Sequence, residues 1–149
     1  MKIAVISKYI ESLGYDVKSL LGVDVVSTDR ELVTVQGHKY RDSEVVLEID
    51  DKVGQDVATA DRVIIYGRHT DDLRSYIKFC KDFGVESEKV VFILCGCGGG
   101  DPLIFSVFSE EKFVPAKIVV AKNGSDAGRG VAKAYLSFRG LAPLKYFGL

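Results

Sequence analysis

The chain has 149 residues, a length typical of one domain that buries its own core, and we predict a single α/β domain over residues 1–149. Its 20 lysines and arginines nearly balance 21 aspartates and glutamates, and no basic run is interleaved with aromatic residues, which argues against nucleic-acid binding. The three cysteines argue against a disulfide framework, and no run approaches the roughly 20 apolar residues that cross a bilayer, so we expect a cytoplasmic protein without membrane contact.

In the first half of the chain, residues 2–6 are typical of a buried first strand, and a helix follows from Lys8. Beyond Gly14 two interpretations stay open. The apolar spacing continues as one longer helix to Leu21, whereas Gly14-Tyr15-Asp16 equally indicates a stop before a second strand. Over residues 23–49 apolar and polar residues alternate, which predicts an antiparallel hairpin or a three-strand meander.

The second half alternates short apolar runs with segments of helical spacing. Strands are predicted at residues 62–66, 89–94 and 117–121, and helices at residues 71–83, at residues 102–111 and in a last segment that ends before Gly140. Strands that alternate with helices require crossover connections. We therefore predict a doubly wound, mostly parallel sheet covered on both faces, a flavodoxin- or Rossmann-like three-layer architecture.

The strongest ligand-binding signal is the glycine-rich loop after the predicted strand 89–94. Glycines accept positive φ and let backbone amides approach a ligand, and Asp-Pro suits the start of the next helix. One or two glycines would suffice for a merely structural turn, so four favour binding. The binding residues predicted in this loop are Gly96, Gly98, Gly99, Gly100 and Asp101.

A second loop follows the predicted strand 117–121, and in a parallel sheet it lies at the same edge as the first. From it Gly124, Ser125 and Arg129 join the predicted binding residues. Arg129 falls in the first turn of the last helix, where a cation opposes the helix dipole unless it meets an anion. With Lys8 and Arg68 as further cations, the predicted ligand is a small anionic or nucleotide-like metabolite, and no cofactor is identified.

Cys97 and His69 are the candidate catalytic residues. Cys97 precedes a predicted helix N-terminus, an environment that lowers the pKa of a thiol. We rank three roles for this cysteine: an inert residue first, a nucleophile second and a metal ligand third. The metal alternative pairs Cys97 with Cys95, and His69 and Asp71 complete the ligand set.

His69 follows a predicted strand and suits acid–base chemistry, or is equally an exposed residue beside a helix cap. In the catalytic interpretation Asp71 or Asp126 orients it, whereas Asp126 is otherwise a cap of the last helix. Cys80 lies on the apolar stripe of its helix and is predicted to be a core residue.

Several sequence motifs are missing. Neither glycine-rich loop continues into the Gly-Lys-Ser/Thr of a Walker A motif, and the first strand runs into Ser7-Lys8-Tyr9 without the glycine of a dinucleotide fingerprint. No Gly-x-Ser-x-Gly elbow or His-Glu-x-x-His helix occurs. The order of elements is similar to flavodoxin-type folds in architecture, and a likeness at that level implies no function.

Residues 103–108 are apolar on every side of the predicted helix, which favours a subunit contact and predicts a homodimer. A single Asn and a single Met favour a thermophilic source. The leading hypothesis is a cytoplasmic α/β protein that binds a small anionic or nucleotide-like metabolite at the carboxyl edge of its sheet. The alternative is an interaction or regulatory subunit whose glycine loops are structural.

Overall fold

A computed structural model describes residues 1–7, 10–22, 24–40, 44–47, 50–67, 70–95 and 103–141. The strands are β1 (Ile3–Ser7), β2 (Leu32–Tyr40), β3 (Glu44–Leu47), β4 (Arg62–Gly67), β5 (Val90–Cys95) and β6 (Lys117–Ala121). The helices are α1 (Ile10–Leu21), α2 (Asp51–Ala58), α3 (Thr70–Phe83), α4 (Leu103–Glu110) and α5 (Gly124–Phe138). Within the described residues none of these helices is long and apolar enough to span a membrane.

The six strands form one sheet in the order β3-β2-β1-β4-β5-β6. Strand β1 pairs in parallel with both β2 and β4, and β5 and β6 continue the parallel sheet. The chain therefore builds outward from β1 in one direction and from β4 in the other, so the boundary between them is a topological switch point. The five parallel strands confirm the predicted doubly wound architecture and bring the carboxyl ends of β1, β4, β5 and β6 to one edge.

Helices cover both faces of the sheet. Side chains alternate along a strand, so Val5 of β1 faces α1 and α5, whereas Ile6 faces α2, α3 and α4. All five residues of β1 are buried. A strand buried on both faces is apolar at consecutive positions, which explains why β1, β4 and β5 are continuous apolar runs in the sequence.

In the first half, the structure decides between the two interpretations beyond Gly14 and adds one helix. Beyond Gly14 the single-helix interpretation is correct, because α1 continues to Leu21 and Gly22 follows with a φ of 88°. Helix α2 was not predicted. It is short and mostly polar, and Asp50 caps it by accepting a hydrogen bond of 2.8 Å from the amide of Val53.

Within residues 23–49, β2 changes partner along its length. Residues 32–36 pair in parallel with β1, and residues 37–40 pair antiparallel with β3. The three-strand meander is wrong, because the described residues 24–31 form no strand and Val26–Thr28 is a 3₁₀ turn. A period of two predicts strands but does not say which strands become neighbours.

Two core residues bear on the sequence predictions. Cys80 is fully buried, as predicted. Phe108 of α4 is also buried, and its ring packs edge-to-face on Phe92 with centroids 5.0 Å apart. Part of the apolar surface of α4 is therefore covered within the chain, and the homodimer stays a prediction.

Candidate functional site

A cavity of about 500 Å³ opens at the switch point, between α1 and α5 and above the carboxyl ends of β1 and β4. Ser7 is the last residue of β1, and Tyr66 lies near the end of β4. Small-molecule sites of proteins typically measure roughly 300–1,000 Å³ and occur preferentially at such switch points. The cavity therefore has both the size and the position of a ligand site.

The inner part of the cavity is apolar. Val5 of β1 and Leu13 of α1 are buried and line it, and Val131 of α5 lines it from the opposite side. Ser7 also contributes to the wall although it is only 3% exposed, which brings a hydroxyl into a largely apolar region. A mostly apolar lining with a few polar groups is typical of sites that orient a small molecule.

The first turn of α5 supplies backbone donors to the cavity wall. Asn123 caps the helix: its side-chain oxygen accepts from the amide of Asp126 at 3.0 Å, and its carbonyl accepts from the amide of Ala127 at 2.9 Å. The two preceding amides, of Gly124 and Ser125, donate to no acceptor in the described part of the chain. Unpaired amides at a helix N-terminus attract anions.

This capping corrects the sequence interpretation of Asp126. The cap is Asn123, and Asp126 lies in the first turn as an acidic residue that the helix dipole favours. The side-chain amide of asparagine is as effective a cap as a carboxylate. Asp126 therefore has no capping role.

Arg129 lines the cavity with an exposed guanidinium. The helix begins at Gly124, so Arg129 lies in its second turn rather than the first, where the dipole has largely lost its influence. Arg129 makes no ion pair with any residue the structure describes. A cation without a carboxylate partner, on the same wall as the amides of Gly124 and Ser125, suits a phosphate or carboxylate group.

The structure brings together three of the predicted binding residues, Gly124, Ser125 and Arg129. The others lie outside the described residues, as do both candidate catalytic residues and the two further cations: Gly96, Gly98, Gly99, Gly100, Asp101, Cys97, His69, Lys8 and Arg68. Their roles stay predictions.

Sequence reasoning missed several residues of the cavity wall, among them Tyr15 and Asp16 of α1. Both belong to the segment that was equally consistent with a helix stop. The signal for Tyr15 was its position two residues after Leu13, off the apolar stripe of α1, where a large aromatic side chain is not needed for the core. In the structure 75% of Tyr15 is exposed.

No family model matches the chain, and no curated protein matches it. A solved structure that it resembles is a de novo designed protein of the Rossmann 2x3 fold, determined by solution NMR. The two share 15% sequence identity with a TM-score of 0.46, over 95% of this chain and 93% of the designed one. The strand order described above establishes a Rossmann-like α/β fold.

Proposed function

We propose that this protein binds a small anionic metabolite in the cavity between α1 and α5. The observation that carries the proposal is the wall formed by α5, where an exposed arginine without an ion pair among the described residues lies beside two amides that have no acceptor there. These groups meet at a switch point, where open α/β sheets bind their ligands. The anionic group contacts Gly124, Ser125 and Arg129, and the rest of the ligand occupies the cavity between α1 and α5.

The donors on the α5 wall suit an anion. Hydrogen bonds from a guanidinium or from helix amides to an anion are charge-assisted, and each contributes about 1.5–3 kcal/mol. Two or three such bonds favour the binding of an anionic group at this wall. We place this binding in the cytoplasm, in agreement with the odd number of cysteines.

Titration of the purified protein at low ionic strength tests the proposal, with inorganic phosphate and ribose 5-phosphate as probes and calorimetry as the readout. Arg129→Gln should weaken binding of both about tenfold or more, because one charge-assisted contact is lost. Lys117→Gln is the matched control, since Lys117 is exposed at the opposite, amino end of β6. The proposal would be overturned if neither inorganic phosphate nor ribose 5-phosphate bound, or if the two variants lost the same affinity.

Gly124→Ala examines the backbone contact separately. A Cβ on Gly124 would meet no atom within 4 Å, so the fold tolerates the methyl group. The methyl group would nevertheless stand beside the amide that the anion approaches. We expect weaker binding of ribose 5-phosphate with a urea midpoint that does not fall.

A catalytic form of this function adds Cys97 as nucleophile and His69 as acid or base, with Asp71 or Asp126 as the orienting group. The homodimer also remains part of the proposal. The exposed side chains of Val114 and Val120, which lie before and on the edge strand β6, are apolar surface that a second subunit would cover. Sedimentation at micromolar concentration tests the dimer, and a monomer there would exclude it.

A further inference from the structure

The cavity has a second chemical feature, an aromatic side chain at its outer end. Tyr15 lines the cavity, yet 75% of the residue is exposed. Leu13, two residues earlier, is buried against the sheet. Successive residues of a helix are about 100° apart, so Leu13 and Tyr15 point to nearly opposite sides of α1. Tyr15 therefore contributes to the cavity at its outer, solvent-exposed end, whereas Leu13 lies at the apolar inner end.

Asp16 gives the α1 wall a negative charge. Asp16 lines the same cavity as Arg129 of α5, so the two helices contribute residues of opposite charge to its wall. Carboxylate oxygens accept several hydrogen bonds each, and the hydroxyls of a sugar are suitable donors. Asp16 already takes part in an interaction within the protein, and its carboxylate has enough lone pairs to accept a sugar hydroxyl as well. The anion donors lie on the α5 wall, so the cavity suits a ligand with one anionic group.

We propose that the ligand is a nucleoside monophosphate, with its phosphate on the α5 wall, its sugar hydroxyls toward Asp16 and its base against Tyr15. This inference rests on the proposed anion-binding function and names its ligand class. Base rings stack on exposed tyrosines because every base has a π-face. The β1–α1 connection contains Ser7-Lys8-Tyr9 and no glycine, so it lacks the residue that lets a backbone approach the pyrophosphate of a dinucleotide.

The test compares four probes by calorimetry: adenosine 5′-monophosphate, uridine 5′-monophosphate, ribose 5-phosphate and adenosine. We expect at least one nucleotide to bind about tenfold more tightly than ribose 5-phosphate. Tyr15→Ala should remove this advantage without changing the affinity for ribose 5-phosphate. Tyr15→Phe, the matched control, should retain it, because the ring and not the hydroxyl contacts the base.

Arg129→Gln distinguishes binding of the phosphate group from recognition of the base. It should weaken both nucleotides and ribose 5-phosphate by the same factor and leave adenosine unchanged. If ribose 5-phosphate binds as tightly as both nucleotides, the anion site stands and the inference about the base is overturned. If neither inorganic phosphate nor ribose 5-phosphate binds, the proposed function itself fails. Equal urea midpoints of the variants establish that each is folded, since Tyr15 and Arg129 are both exposed.

Discussion

The hydroxyl of Tyr135 donates a hydrogen bond of 2.5 Å to Oδ2 of Asp29, and so joins α5 to the segment that precedes β2. Arg139 donates to the same oxygen through Nε at 2.7 Å, and through Nη1 to the carbonyl of Met1. The side chains of Arg139 and Asp29 are only 14% and 15% exposed. These contacts hold the carboxyl end of α5 at the amino edge of the sheet, while its other end lines the cavity.

Replacement of Tyr135 by Phe should lower the free energy of unfolding by about 2 kcal/mol. The change removes the donor of a partly buried hydrogen bond to a carboxylate, and such bonds contribute about 1.5–3 kcal/mol. Urea denaturation measures the loss. Tyr15→Phe is the control, because the hydroxyl of Tyr15 makes no hydrogen bond within the described residues. Equal urea midpoints for the two variants would contradict the prediction.

The same contacts predict a loss of stability in acid. Burial by itself would raise the pKa of Asp29, but the hydrogen bonds from Tyr135 and Arg139 outweigh burial and hold this pKa below its usual value of 3.8. The charged carboxylate is therefore the stabilised form. Its contribution is present above the pKa of the unfolded chain and is lost as the pH falls through the pKa of the folded protein.

We expect the urea midpoint of the wild type to fall between about pH 6 and about pH 3, and that of Asp29→Asn to fall less over the same interval. The variant starts from a lower midpoint because it loses the charge that Arg139 contacts. The informative quantity is therefore the difference between the two slopes against pH. Parallel curves would show that Asp29 does not contribute to the acid sensitivity.

Cys80 should resist alkylation in the folded protein. It is fully buried, and burial raises the pKa of its thiol to about 12, so almost no thiolate is present near neutral pH. In the catalytic proposal, Cys97 reacts with iodoacetamide much faster than Cys80. Peptide mass mapping after brief treatment resolves the individual cysteines, with urea-unfolded protein as the control. Equally slow reaction of all three thiols would exclude a nucleophilic Cys97.

Two helical glycines should respond to alanine in opposite directions. A Cβ on Gly54 of α2 would lie 2.1 Å from Cε1 of Phe83, so the ring must move and α2 loses its fit against α3. We expect a loss of about 1–3 kcal/mol. A Cβ on Gly14 of α1 would meet nothing within 4 Å. Because alanine lowers the conformational entropy of the unfolded chain, Gly14→Ala should stabilise the protein by about 0.5–1 kcal/mol.

Thermal or urea denaturation of both glycine variants tests this contrast. A destabilised Gly14→Ala would show that α1 cannot accept a side chain there. An unaffected Gly54→Ala would show that the ring of Phe83 moves aside without cost.

The elements that could be predicted from the sequence are those whose signal is local. Strands β1, β4 and β5 are continuous apolar runs because both faces of the sheet are covered, and α3 and α5 end just before glycines in the left-handed region, Gly84 and Gly140, each with a φ of 70°. Helix α2 buries only Gly54 and Val57, so its apolar pattern is too short to show a helical period.

The candidate site likewise contains residues that could be predicted from a local signal and residues that could not. Arg129 and the amides of Gly124 and Ser125 follow a recognisable strand, and the rule that parallel strands end at one edge places them there. Tyr15 and Asp16 reach the site only because α1 packs beside α5, a helix more than 100 residues later in the chain. No local pattern in residues 10–21 reports that contact.

The position of α5 in the chain has a consequence for synthesis. It is the last helix of the described chain, and it packs over apolar residues of β4 and β5 such as Ile64 and Ile93. A nascent chain that has not yet reached residue 124 leaves this face of the sheet covered by α1 alone. We therefore expect a chain truncated before Asn123 to aggregate during translation, and the ligand cavity to form only when α5 docks.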